Sequence, residues 1–307
     1  MAGIVVVGAG GVGGFFGGLL ALGEEVTFIA RGRTLEALQA DGLTVHSKLV
    51  GDFTVRPGVT SDPATLEPPD LVLFCVKTYD LDAAAERIKP LIGPNTVVLP
   101  LQNGIDAPER LGRILGEQAV LAGVTYVRAF RSAPAVVEHL HSTQIILGEP
   151  RGGLSERVTA LAARLQAAGI AAESQENSLT PMWVKFAGIC AALICALSRQ
   201  PAGTVLTNPE MRSMLQDTLQ EVFAVGRARG VSFPDDIVDR LMTVVDGYPP
   251  SARPSLLEDL EAGRPLELEN LTGTVLRLGR ELGVPTPLNR AIYVGLLPFV
   301  DGAPAPG

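Results

Sequence analysis

Lys185 stands alone as a charge in an otherwise apolar run, Pro181-Met182-Trp183-Val184-Lys185-Phe186-Ala187-Gly188-Ile189-Cys190-Ala191-Ala192-Leu193-Ile194, and no further charge follows before Arg199. The run predicts a helix with Thr180 as N-cap and Pro181 at its first position. Burying an ammonium is costly, so this one either snorkels to water or has a partner and a task. A helix N-terminus also disfavours its charge. Desolvation lowers an amine's pKa, which makes it a usable proton donor near neutral pH. From this helix alone both readings stand, a snorkelling surface lysine or a general acid. A second candidate is Glu267, which at helical spacing shares a face with Leu271, Thr274 and Leu278. A carboxylate at the head of an apolar stripe suggests an inward-facing partner for a cation. The other acids of this segment read as solvated helix charges.

Near the start, the apolar run Ile4-Val5-Val6-Val7 flows into Gly8-x-Gly10-x-x-Gly13, and a small-residue helical pattern follows from Phe15 to Leu22. A buried parallel strand, a glycine turn and a helix N-terminus, in that order, make the unit that binds a dinucleotide. Gly8 permits the tight turn, Gly10 admits the pyrophosphate to the backbone, and Gly13 lets helix and strand pack closely. The helix start, with the backbone of Gly11 and Val12, offers free N–H groups and a positive dipole end to the phosphates. The bland reading is a tight turn in a cofactor-free α/β domain. The next strand, Glu25 to Ala30, ends in Arg31-Gly32-Arg33 with no acid at that end. An acid there suits the ribose 2′-hydroxyl of NAD, whereas an arginine suits a 2′-phosphate. Arg31, with Arg33 assisting, therefore predicts NADP (NADPH) as cofactor, against solvated loop charges as the alternative. Lys77-Thr78 and Gln102-Asn103-Gly104 follow two further apolar strands, at strand ends where open α/β sheets bind ligands. Lys77 and Asn103 are thus candidate cofactor contacts, with an ordinary turn the competing reading of Asn103-Gly104.

These residues are carried by a first half that alternates strand and helix, and so by a mostly parallel sheet. Strands are predicted over Asp70–Val76, Asn95–Leu101 and Ala119–Val127. Leu43–Val59 reads as a hairpin or edge strands, Ala135–Leu147 as two strands that finish the sheet, and Ile170–Glu173 as a last short strand. Helices are predicted over 34–41, 81–92, 107–115 and 155–168. From about Ser178 strand patterns disappear, and helices are predicted over 181–197, 209–229, 234–245, 255–261, 267–282 and 289–299. The fold class is α/β: a Rossmann-type doubly wound sheet over 1–176, followed by an all-α C-terminal domain over 177–307, with 301–307 a Gly/Pro/Ala-rich disordered tail.

At 307 residues the chain has room for two cores. Its net charge of −8 and the lack of a basic stripe argue against nucleic acid as a partner. No uninterrupted apolar run approaches the roughly 20 residues of a membrane span, and no basic leader precedes the first strand. Cys75, Cys190 and Cys195 lie in apolar segments without CxxC spacing and read as reduced core residues. His46, His139 and His141 lack metal-ligand spacing; His139 and His141 read as surface decoration of a strand. A cytoplasmic protein with a small-molecule substrate is expected. Helical domains with this much apolar surface often pair, which leaves a homodimer open.

Taken together, Gly8-x-Gly10-x-x-Gly13, Arg31, Val76-Lys77-Thr78, Gln102-Asn103-Gly104, Trp183-Val184-Lys185, Ser255 with Asp259, Glu267 through Gly273 and Gly279 through Asn289 resemble the ketopantoate reductase (2-dehydropantoate 2-reductase) family over nearly the whole chain. The resemblance implies NADPH-dependent reduction of a 2-oxo acid, most directly 2-dehydropantoate to pantoate. It implies Lys185 as the acid that protonates the ketone oxygen and Glu267 as the group that binds substrate and orients the lysine. Ser255 would hold the substrate carboxylate, and Asn103 would lie at the reacting centre. The family usually carries asparagines four and eight positions after the lysine, where this chain has Ile189 and Leu193. Both share the helical face of Lys185, so that wall of the substrate site is expected to be apolar. The alternatives are a reductase of a more apolar 2-oxo acid or carbonyl, and a non-catalytic NADPH-binding regulatory protein. An idle buried ion pair is a poor source of stability, which argues against the latter.

Overall fold

The computed structural model describes residues 3–303, which divide into two compact units. The first comprises residues up to Gln102 together with Asp106–Leu179, and the second comprises Asn103–Ile105 and the residues from Thr180 onward.

In chain order, the first unit runs β1 (Ile4–Val7), α1 (Gly11–Leu20), β2 (Val26–Ile29), α2 (Gly32–Asp41), β3 (Leu43–Ser47), β4 (Phe53–Val55), β5 (Gly58–Thr60), β6 (Leu71–Phe74), α3 (Leu81–Ile88), β7 (Val97–Pro100), α4 (Ala107–Leu115), β8 (Ala122–Thr125), β9 (Arg128–Ala133), β10 (Val136–His141), β11 (Ile145–Gly148), α5 (Glu156–Ala167) and β12 (Ala172–Ser174). A five-stranded parallel sheet in the order β5-β2-β1-β6-β7 forms its centre. Its central strands β1 and β6 are apolar on both faces because both are covered. Ile4 and Val6 pack with Phe15, Phe16 and Leu19 of α1, while Val5 and Val7 pack with Leu81 and Ala85 of α3 and Leu111 of α4. The sheet is thus doubly wound.

The strands predicted to finish this sheet do not join it. β10 belongs to a four-stranded sheet, β4-β3-β10-β9, and β11 to a three-stranded one, β12-β11-β8. The stretch expected as a hairpin or edge strands supplies both: β3 and β4 pair antiparallel, and β5 is the edge strand of the parallel sheet, beside β2. Local pattern identifies a strand, but register partners lie far away in sequence. His139 is also not surface decoration. It is 1% exposed, stacks on Phe15 at 3.7 Å, bonds Ser47 Oγ through Nδ1 at 2.7 Å and Ser142 O through Nε2 at 2.8 Å. Both ring nitrogens are satisfied, so an imidazole is accommodated in the core.

The second unit is helical: α6 (Leu179–Ser198), α7 (Ala202–Thr207), α8 (Pro209–Ala228), α9 (Ile237–Asp246), α10 (Ser255–Glu261), α11 (Thr274–Leu282) and α12 (Pro287–Leu296). α6 begins at Leu179, so Thr180 is no N-cap; its hydroxyl donates to Ser232 O instead. By length and composition α6 could cross a membrane, with a mean hydropathy of 1.7. Lys185 interrupts its apolar run, and just over half of the apolar window is buried, as in the core helix of a folded domain. Its apolar face, from Trp183 to Ala196, packs against Leu219, Val222 and Phe223 of α8. The single helix expected over 267–282 is broken. Residues Glu269–Gly273 form a π turn, and Leu271 leaves helical geometry at φ −107°, ψ −106°. In the expected tail, Gly302 and Ala303 turn back, with Ala303 N donating to Gly263 O at 3.2 Å; residues 304–307 lie outside the described residues.

Candidate active site

One row of the parallel sheet organises the nucleotide side. Ile29, Val7, Phe74 and Pro100 are register partners at the carboxyl ends of β2, β1, β6 and β7. Arg31, Gly8, Lys77 and Asn103 each leave the sheet within three residues of that row. Crevices at this edge are where such sheets bind ligands.

The glycine turn fits a dinucleotide for three different reasons. Gly8 has φ +105°, and a Cβ there would meet the Cys75 carbonyl carbon at 2.8 Å. At Gly13 a Cβ would stand 2.1 Å from Gly8 O, so helix and strand pack too closely for any side chain. Gly10 differs: its backbone is extended (φ −88°, ψ −163°), and an added Cβ would meet nothing within 4 Å. Nothing in the fold demands glycine there, whereas a phosphate approaching the backbone does. Gly11 and Val12 begin α1, which has no side-chain cap and no acid in its first turn. These are properties of an anion cradle. Arg31 is the N-cap residue of α2, also uncapped and without first-turn acids. Lys77 is exposed just past β6, at the start of a short 3-10 turn.

The candidate acid, Lys185, lies in the helical unit. Lys185 Nζ donates to Asn103 Oδ1 at 2.8 Å. Burial pushes the Lys185 amine down to about 8, while the Glu267 charge acts in the opposite direction. Glu267 is 7% exposed. It lies not on a helical face, as its spacing with Leu271 suggested, but in the irregular segment before the π turn. Its inward orientation is as expected; the periodicity inferred for it is not. Gly104, at φ +106°, turns the chain so that Ile105 packs into the helical core. Just before it, Gln102 Nε2 donates to Phe74 O at 2.9 Å and Val76 O at 3.2 Å. Gln102 thereby ties the end of β7 to the end of β6, a positioning role the sequence motif alone did not reveal.

The remaining candidates fall differently. Ser255 is exposed at the first position of α10. Asp259, four residues on, accepts from Arg264 Nε at 2.7 Å. Ile189 is partly exposed one turn beyond Lys185, but Leu193 is 1% exposed in the helical core. The three cysteines are free thiols, and among the described residues no cluster of three or more His, Cys, Asp or Glu could hold a metal.

Comparison with known proteins matches residues 4–152 to the family described as "Ketopantoate reductase PanE/ApbA" and residues 177–297 to its C-terminal counterpart. A 2-dehydropantoate 2-reductase of Caulobacter vibrioides is 34% identical, across 97% of this chain and 98% of its own. One from Mesorhizobium japonicum is 30% identical, across 94% and 95%. The crystal structure of 2-dehydropantoate 2-reductase from Geobacter metallireducens superposes with a TM-score of 0.90 at 33% identity, covering 96% of this chain and 98% of that one.

Proposed function

The chain belongs to the ketopantoate reductase PanE/ApbA family, and on that premise we propose that it is an oxidoreductase that reduces a 2-oxo acid to the 2-hydroxy acid with NADPH, 2-dehydropantoate being the substrate. The observation that carries this reading is a largely buried amine whose pKa burial lowers to about 8, hydrogen-bonded to Asn103 and under the charge of Glu267. The activity named for the full-length relatives supports the substrate. The open backbone at Gly10, and an arginine rather than an acid after β2, support NADP.

When bound, the reduced nicotinamide supplies a hydride to the ketone carbon. Lys185 holds its proton at the ketone oxygen and releases it as negative charge grows there. Asn103 Oδ1 takes one of the three ammonium N–H groups and sets the direction of the others. Glu267 keeps the amine charged against the desolvation that favours its neutral form. Ser255, exposed at the start of α10, is available to the substrate carboxylate. Ile189 cannot hydrogen-bond a hydroxyl, and this favours, as a second reading, a 2-oxo acid with a more apolar side chain.

The test is Lys185→Ala, assayed by nicotinamide oxidation with 2-dehydropantoate and a panel of apolar 2-oxo acids. Turnover should fall roughly 100- to 10,000-fold while NADPH affinity stays within about twofold. Undiminished turnover removes Lys185 as the acid. No turnover by the unaltered protein with any 2-oxo acid, despite NADPH binding, leaves only a cofactor-binding protein.

A further inference from the structure

Outside the glycine turn, the strand β9 brings a third arginine to the corner where β2 ends. At its middle, the Ala129–Phe130 backbone lies against the start of α1: a Cβ on Gly11 would stand 2.2 Å from Ala129 O. Two residues on, Arg131 Nη1 donates to Thr34 Oγ1 at 2.7 Å. Thr34 is the third residue of α2, so this guanidinium sits on the same helix start as Arg31 and Arg33. β9 thus runs from the phosphate cradle to the strand end that discriminates the ribose.

The charges at this corner are uncompensated. Arg31, Arg33 and Arg131 make no ion pair with a carboxylate among the described residues, and α2 has no acid in its first turn. Elsewhere in the same unit, Arg157 is held by Glu149 at 2.5 Å and Arg164 by Glu24 at 2.5 Å, while Arg56 and Arg87 donate to the carbonyls of Ala40 and Ser61. Three guanidinium groups at the positive end of a helix dipole repel one another and the dipole alike. All three are exposed to water, which weakens that repulsion, and a bound anion would lower it further. The neighbouring cradle, whose Gly10 backbone is open, says which molecule brings the anion to this edge of the sheet.

We propose that Arg131, delivered by β9 and aimed by Thr34, is a specificity-determining residue that binds the cofactor's 2′-phosphate together with Arg31. This deepens the NADPH reading above and rests on it. Thr34 accepts one N–H of the fork and leaves the others directed outward for phosphate oxygens. Arg131 would be invisible to any inspection of the segment after β2, since it lies 97 positions from its hydroxyl partner.

The test measures dissociation constants for NADPH and NADH with the unaltered protein, Arg31→Ala and Arg131→Ala, with Arg131→Lys as a conservative control. We expect Arg131→Ala to weaken NADPH about tenfold and NADH by less than about twofold, as the loss of an exposed charge-assisted contact to phosphate requires. Arg131→Lys should recover part of the loss, because charge survives but the fork does not. If the unaltered protein does not prefer NADPH, the NADP reading itself falls. If it does, and Arg31→Ala abolishes the preference while Arg131→Ala leaves it intact, only the role of Arg131 is overturned. Equal weakening of both cofactors by Arg131→Ala also overturns it, since that marks a purely structural residue.

Discussion

The Lys185 amine is the group whose chemistry is most exposed to measurement. As a general acid it must carry its proton, and burial places its pKa near 8. Reduction should therefore proceed at a level rate below that value and fall as pH rises through about 8, about tenfold per pH unit thereafter. A profile of kcat/KM against pH checks this, and a flat profile up to about pH 10 contradicts it. Asn103→Asp would put a carboxylate where Oδ1 now accepts from Nζ. An adjacent negative charge favours the ammonium, so the alkaline limb should move to higher pH by about one unit or more. A limb that stays in place means the bond is not made in the working enzyme. Lys185 stands out in the sequence because a solitary charge in an apolar helix needs a reason. Its bond to Asn103 does not, because 82 positions separate them. His139 shows the opposite limit. Alternation on a strand pointed it outward, and Ser47 and Phe15 from two distant segments, with Ser142 just past the strand, make its burial tolerable.

Among the elements, the turn from β1 to α1 separates what the fold needs from what a ligand needs. Gly13→Ala forces a Cβ onto the Gly8 carbonyl at 2.1 Å, and should cost about 1–3 kcal/mol of stability. Gly10→Ala meets no atom within 4 Å. It should leave stability within about 0.5 kcal/mol while weakening NADPH severalfold. Chemical denaturation and cofactor titration of the two variants together decide the matter. Equal stability losses would mean Gly10 is merely structural. In the helical unit, α12 starts against a carboxylate from α8: Glu221 accepts from Leu288 N at 2.8 Å, Asn289 N at 3.0 Å and Asn289 Nδ2 at 2.8 Å. Glu221→Ala leaves these donors unpaired and should cost about 1–3 kcal/mol, read from the denaturation midpoint. Most strands and helices were legible, since alternation, 3.6-residue spacing and capping residues are local signals. The break at Leu271 was not. Its spacing with Glu267 suits a helix, and the chain departs from that geometry while keeping both side chains inside.

For the molecule as a whole, a cofactor that binds only the native state raises stability by mass action, by about 2.7 kcal/mol at a hundredfold excess over its dissociation constant. NADPH should therefore raise the melting temperature of the unaltered protein and of Lys185→Ala alike, and raise it less for Gly10→Ala. A shift that vanishes with Lys185→Ala would mean the amine holds the cofactor rather than the transferred proton. At this scale, the order of strand, glycine turn and helix, and the change to an all-helical second half, were determined by the sequence alone. Each depends on residue types within one or two turns of chain. Which strands share a sheet, that Asn103 reaches Lys185, that β9 carries Arg131 to the start of α2, and that Leu193 is core were decided only by the tertiary structure. Those outcomes depend on register and packing between segments tens of residues apart, where many pairings satisfy the same local pattern and close packing selects one.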